Sequence, residues 1–79
     1  MLIKISIGDD INGEYIDIYV ENEQRIKTTI RVLSENVFIG WGDREISEVR
    51  IRDTGRRVPA AKTYQEADIY SGAKISVIR

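Results

Sequence analysis

Between Val20 and Ile26 the spacing of apolar residues changes from two to between three and four, and that change limits what the chain can fold into. Before it, Ile3, Ile5 and Ile7 alternate with Leu2, Lys4 and Ser6. Further on, Ile16, Ile18 and Val20 share one face of a second alternating run over 14–20. Each run reads as a strand with one side buried. The segment Gly8-Asp9-Asp10-Ile11-Asn12-Gly13 between them is turn chemistry, so the two runs predict a β-hairpin with a long loop.

After the change, Ile26, Ile30, Leu33 and Val37 recur at steps of four, three and four, one stripe of a helix. Asn22 is the expected N-cap, with Glu23 facing the positive end of the helix dipole. Thr28, Thr29 and Val32 are β-branched, so packing rather than propensity must hold this helix, which should end before Gly40. Residues 38–47 carry no clear period, and Gly40 and Gly42 around Trp41 suggest a loop. Alternation resumes over 48–53, with Val49 and Ile51 inward and Arg50 and Arg52 outward. Thr54-Gly55 is a turn, and Arg57-Val58 a very short strand ended by Pro59. Thr63 and Glu66 have the spacing of a capping box opening a helical turn. A last strand over 74–79 follows the Ser71-Gly72 turn, with Ile75 and Val77 inward and Lys74, Ser76 and Ile78 outward. The expectation is one α+β domain over residues 1–79: a mixed sheet of four to five strands with one helix packed across one face.

Composition narrows the chemistry. The chain has no cysteine and no histidine, which removes disulfides, thiolate metal sites and the commonest general base. Asp9, Asp10 and Asn12 share a loop, but an EF-hand frame begun at Asp10 runs through Ile16 and Ile18, which belong to strand core. Asp43, Glu45 and Glu48 are spaced carboxylates without the walls of a cleft in a domain of this size. The expectation is therefore no enzyme, no metal and no cofactor. No apolar run reaches the roughly 18–20 residues that span a bilayer, and the alternating start is unlike a signal peptide, so a cytoplasmic protein is expected.

Charge is uneven. Residues 1–48 carry ten acids and five bases, whereas 49–79 carry three acids and seven bases. Arg50, Arg52, Arg56 and Arg57, with Lys4 and Lys74, should share the sheet face away from the helix. That face reads either as a recognition surface for an acidic protein or as ordinary solvated sheet. Overall acidity and the lack of interleaved aromatics argue against nucleic acid. Trp41 reads either as an exposed aromatic anchor or, with more weight, as a plug at the bottom of the core. Phe38 and Ile39 lean further toward core.

These residues resemble the ubiquitin-like proteins. Met1-Leu2-Ile3-Lys4-Ile5-Ser6-Ile7 looks like the family's first strand, and the step of six from Val20 to Ile26 like its passage into the helix. Val49 to Arg79 can be laid on ubiquitin without a gap, through the pattern Thr63, Glu66, Ala67, Ile69, Ser71, Gly72 and Ile75. The resemblance implies a ubiquitin-like β-grasp. Two departures qualify it. No Gly-Gly tail follows Arg79, which implies a protein that is not conjugated. Arg52 stands where ubiquitin has the central exposed isoleucine of its partner patch, while Ile78 keeps the neighbouring apolar place. The resemblance is nearest to the small YukD-type proteins encoded with bacterial type VII secretion systems, implying a cytosolic accessory. Alternatives are a small accessory subunit of a multicomponent enzyme, or a carrier or modifier whose tail is absent. The implied binding face is Lys4, Arg50, Arg52, Lys74 and Ile78.

Overall fold

The computed structural model describes residues 1–43 and 46–78. Strands β1 (Leu2–Asp9) and β2 (Glu14–Glu21) form the hairpin, and helix α1 (Ile26–Asn36) follows. A 3-10 turn over Ile39–Asp43 leads to β3 (Glu48–Ile51), β4 (Arg56–Pro59) and β5 (Lys74–Ile78). The five strands lie in the order β2-β1-β5-β3-β4. β1 runs parallel to β5, and the other neighbours are antiparallel. This is the expected α+β architecture, with the helix over one face. Arg79, assigned above to the last strand, lies outside the described residues.

The core is what the alternation and the helical stripe jointly demand. Ile3, Ile5, Ile7, Val20, Val49, Ile51, Val58, Ile75 and Val77 leave the sheet on one side and meet Ile26, Ile30 and Leu33 from the helix. Ile16 and Ile18 point to the same side but are only partly buried, because β2 is an edge strand. Tyr64 is fully buried, and its hydroxyl donates to Thr29 Oγ1 at 2.7 Å, tying the 63–69 turn to the helix. Burial pushes the Tyr64 phenol up to about 12.

Several local expectations need correction. The helix begins at Ile26 with Arg25 at its N-cap, and no side chain caps it. Asn22 instead donates its backbone N–H to Met1 O at 3.0 Å, extending the hairpin ladder. The first-turn N–H groups are satisfied from afar: Ile26 donates to Lys62 O and Lys27 to Ala60 O. Val37 is not part of the buried stripe. The helix ends at Asn36, and the N–H groups of Val37 and Phe38 both close onto Leu33 O. That turn leaves Val37 half exposed and carries Phe38 into the core. Ile39, expected inside, is 74% exposed. Gly8 and Asp9 belong to β1 rather than to the turn.

The capping box forms as its spacing predicts. Thr63 N–H donates to Glu66 Oε1 at 2.9 Å, and Glu66 N–H to Thr63 Oγ1 at 3.0 Å. These bonds hold the Glu66 carboxyl below its ordinary range. The segment closes a single turn and then leaves through Asp68 at φ 57°.

Candidate interaction face

The face of the sheet turned away from α1 is set by register. Lys4 stands opposite Tyr19, Ser6 opposite Asp17 and Gly8 opposite Tyr15. On the other side of β1, Ser6 aligns with Lys74 and Gly8 with Ser76. Ser76 aligns in turn with Arg50, and Arg50 with Arg57. Ile78 faces Glu48 at the far end. Lys4, Arg50, Lys74 and Ile78 therefore share the expected face. Arg52 lies one residue past the end of β3, its N–H donating to Lys74 O at 2.9 Å, so Arg50 holds the central place. Arg56 does not belong to this face. It aligns with inward Ile51, and its guanidinium donates to Ala67 O at 2.6 Å.

Tyr15 organises the middle of the face. A Cβ on Gly8 would lie 2.6 Å from Tyr15 Cγ and 2.0 Å from Glu14 O, so the ring crosses a strand position that only glycine can fill. Lys74 Nζ stands 4.4 Å from the ring centroid. The Tyr15 hydroxyl donates to the Asp10 carboxylate, which also accepts from the Arg52 guanidinium. Tyr15's hydrogen bond, with Arg52's charge beside it, holds the Asp10 carboxyl below its ordinary range. Tyr15 itself is pushed up, first by burial and then by that same bond. Arg52 and Lys74 thus each have a partner within the domain. Among the described residues, no carboxylate lies within ion-pair distance of Lys4, Arg50 or Arg57. Two arginines directly opposite one another on adjacent strands repel, and among the described residues only the more distant charge of Asp10 acts on Arg50.

The sequence signals for this centre were weak. Gly8 read as turn chemistry, and Tyr15 has no distinctive spacing. Their joint role depends on cross-strand register. Trp41, the possible aromatic anchor, is 2% exposed. Its ring stacks on Phe38 at 4.4 Å, and its indole N–H donates to Asp9 Oδ2 at 3.3 Å. It is the core plug and not an exposed anchor. Exposed aromatic surface comes instead from Tyr19 and Tyr70.

The acidic loop serves the fold. Asp9 is buried and accepts from Ile11 N–H and Trp41, while Asp10 holds Tyr15 and Arg52. Of the three spaced carboxylates, Glu45 lies outside the described residues. Among the described residues no helix is long and apolar enough to cross a membrane.

A solved structure of the C-terminal ubiquitin-like domain of mouse tubulin-specific chaperone e is similar to this chain, with a TM-score of 0.72 at 11% identity. The match covers 98% of this chain and 84% of that one. The fold is a ubiquitin-like β-grasp. No protein-family model and no curated protein matches the chain, so the likeness is one of architecture. In this β-grasp the outer face of the sheet carries Arg50 and Arg57 on β3 and β4, Lys4 on β1, and Asp17 and Glu21 on β2.

Proposed function

We propose that this domain is a non-catalytic protein-interaction module whose outer sheet face meets an acidic partner. Arg50 and Lys4 supply charge that is in no ion pair among the described residues, Arg52 and Lys74 frame the Tyr15 centre, and Ile78 offers an apolar contact at the rim. The observation that carries the reading is the directly opposed Arg50–Arg57 pair, which has no carboxylate within ion-pair distance among the described residues. Like charges held face to face cost stability, and an acidic partner would relieve that cost. Charge reversal tests it: Arg50→Glu with Arg57→Glu should leave the fold intact and abolish capture of the partner from a lysate. Capture of the same partner by the reversed variant would reject the face.

In the cell, we read the module as a cytosolic accessory of a bacterial type VII secretion system. Support comes from a ubiquitin-like fold in a chain without cysteine. Crosslinking in cells that carry such a system should join the tagged protein to its membrane ATPase or to its WXG-type proteins. Crosslinks to neither would reject the assignment.

A further inference from the structure

A second surface differs in kind from the outer face: the free edge of β2. The phase of the β1–β2 ladder follows from three contacts. Asn22 N–H donates to Met1 O on the β2 side of β1. On the β5 side, Ser6 N–H donates to Ala73 O and Gly72 N–H to Lys4 O. Even-numbered residues of β1 therefore bond toward β5 and odd-numbered ones toward β2. With Ile3 opposite Val20, Ile5 opposite Ile18 and Ile7 opposite Ile16, those three residues of β2 bond inward. Tyr15, Asp17, Tyr19 and Glu21 then turn their N–H and C=O groups away from the sheet, although the Glu21 carbonyl already accepts from Gln24 N–H at 3.0 Å. Among the described residues, no strand pairs with them.

Free edges are usually blunted by proline, a bulge, shortness or an inward charge. β2 has eight residues, no proline and an unbroken register from Glu21 to Glu14. On its core side, Ile16 and Ile18 remain partly buried, although they pack on buried neighbours. A strand added beside β2 would cover them. Its charge is equally one-sided: β2 carries Glu14, Asp17 and Glu21 and no base. Glu21 accepts from the Met1 amino group, while no base lies within ion-pair distance of Asp17 or Glu14 among the described residues.

We propose that the β2 edge is a strand-addition site for an extended, basic segment of a protein partner. Main-chain bonds would run to Tyr15, Asp17 and Tyr19, and to the N–H of Glu21. Aliphatic side chains of the segment would pack beside Ile16 and Ile18, and its lysines or arginines would lie over Asp17 and Tyr19. A cation against the exposed Tyr19 ring adds to the preference for base.

The probe is a capped octapeptide alternating lysine with valine, titrated into the full chain and followed by amide hydrogen exchange and NMR. Slowed exchange should appear at the amides of Tyr15, Asp17, Tyr19 and Glu21. Asp17→Pro removes an outward N–H without touching the ladder to β1, and should weaken binding by about tenfold or more through lost main-chain bonds. A peptide with glutamate in place of lysine should bind more weakly. Arg50→Glu with Arg57→Glu should leave the titration unchanged, so this edge and the outer face can fail separately. Protection at other amides, equal binding of the glutamate peptide, or an edge occupied by a second copy of the chain in sizing experiments would each overturn the proposal.

Discussion

The two free edges of the sheet are unlike in length, charge and capacity to pair. β2 presents four outward residues, every one with a backbone donor. β4 has four residues in all, and its phase follows from Ala60 N–H donating to Ser47 O. With Arg50 opposite Arg57 and Glu48 opposite Pro59, the residues that face outward are Arg57 and Pro59. Proline has no N–H, so β4 offers one donor, flanked by the charge of Arg56 and Arg57. One edge is closed by its chemistry and the other is left open. A domain that needed only to avoid aggregation would be expected to close both.

The sharpest way to break this comparison is to place proline on the two sides of β2. Ile18→Pro removes a ladder bond to Ile5 and should cost about 3 kcal/mol or more, enough to unfold a small domain. Asp17→Pro, one residue away, should cost under about 1 kcal/mol because its N–H has no partner in the ladder. Urea midpoints decide it, and similar losses at both positions would mean that the ladder phase is wrong.

A second test loosens the β4 side. Its succeeding turn is held by buried Tyr64, whose phenol is pushed up from 10 to about 12. The fold prefers the neutral phenol, so this stabilisation is complete below pH 10 and disappears as pH rises toward 12. Two pKa units correspond to roughly 2–3 kcal/mol. Stability should fall across that window, and Tyr64→Phe should flatten the fall. An unchanged slope in the variant would assign the alkaline loss to other groups.

Gly8→Ala acts on the opposite side. The new methyl meets Tyr15 and the Glu14 carbonyl, and overpacking of this kind costs about 1–3 kcal/mol. Hydrogen exchange should quicken along β2 and not at Arg57. Uniform acceleration would show that Tyr15 anchors the whole sheet rather than its open edge. The smallest expected effect is that of Pro59→Thr, within about 0.5 kcal/mol of the parent. By restoring a donor to β4 it should raise concentration-dependent association, read by light scattering. No rise would assign closure of that edge to the arginines instead.

Much of the fold was legible because it rests on period. Ile3, Ile5 and Ile7, the stripe from Ile26 to Leu33, and Ile75 with Val77 all lie where alternation puts them. The failures came where a distant segment decided the outcome. Asn22 has the chemistry of a cap, but the ladder to Met1 takes its backbone and remote carbonyls take over the helix end. Val37 keeps the helical spacing, yet the chain turns one residue earlier and Phe38 inherits its place. The site was less legible than the fold, since register is invisible in a single sequence. Nothing local says that Gly8 faces Tyr15, that Arg56 turns inward to Ala67, or that β2 ends the sheet.

The helix whose first turn is closed by Ala60 and Lys62 has a consequence for how the chain acquires its shape. Its N-terminal donors wait for residues more than thirty positions later, so a chain cut after residue 40 would hold the hairpin's pattern but not a finished helix. Helix, β4 and the Tyr64 turn should consolidate in one event late on the folding path. Non-local closure of this kind should slow folding relative to a chain of the same length built on local contacts.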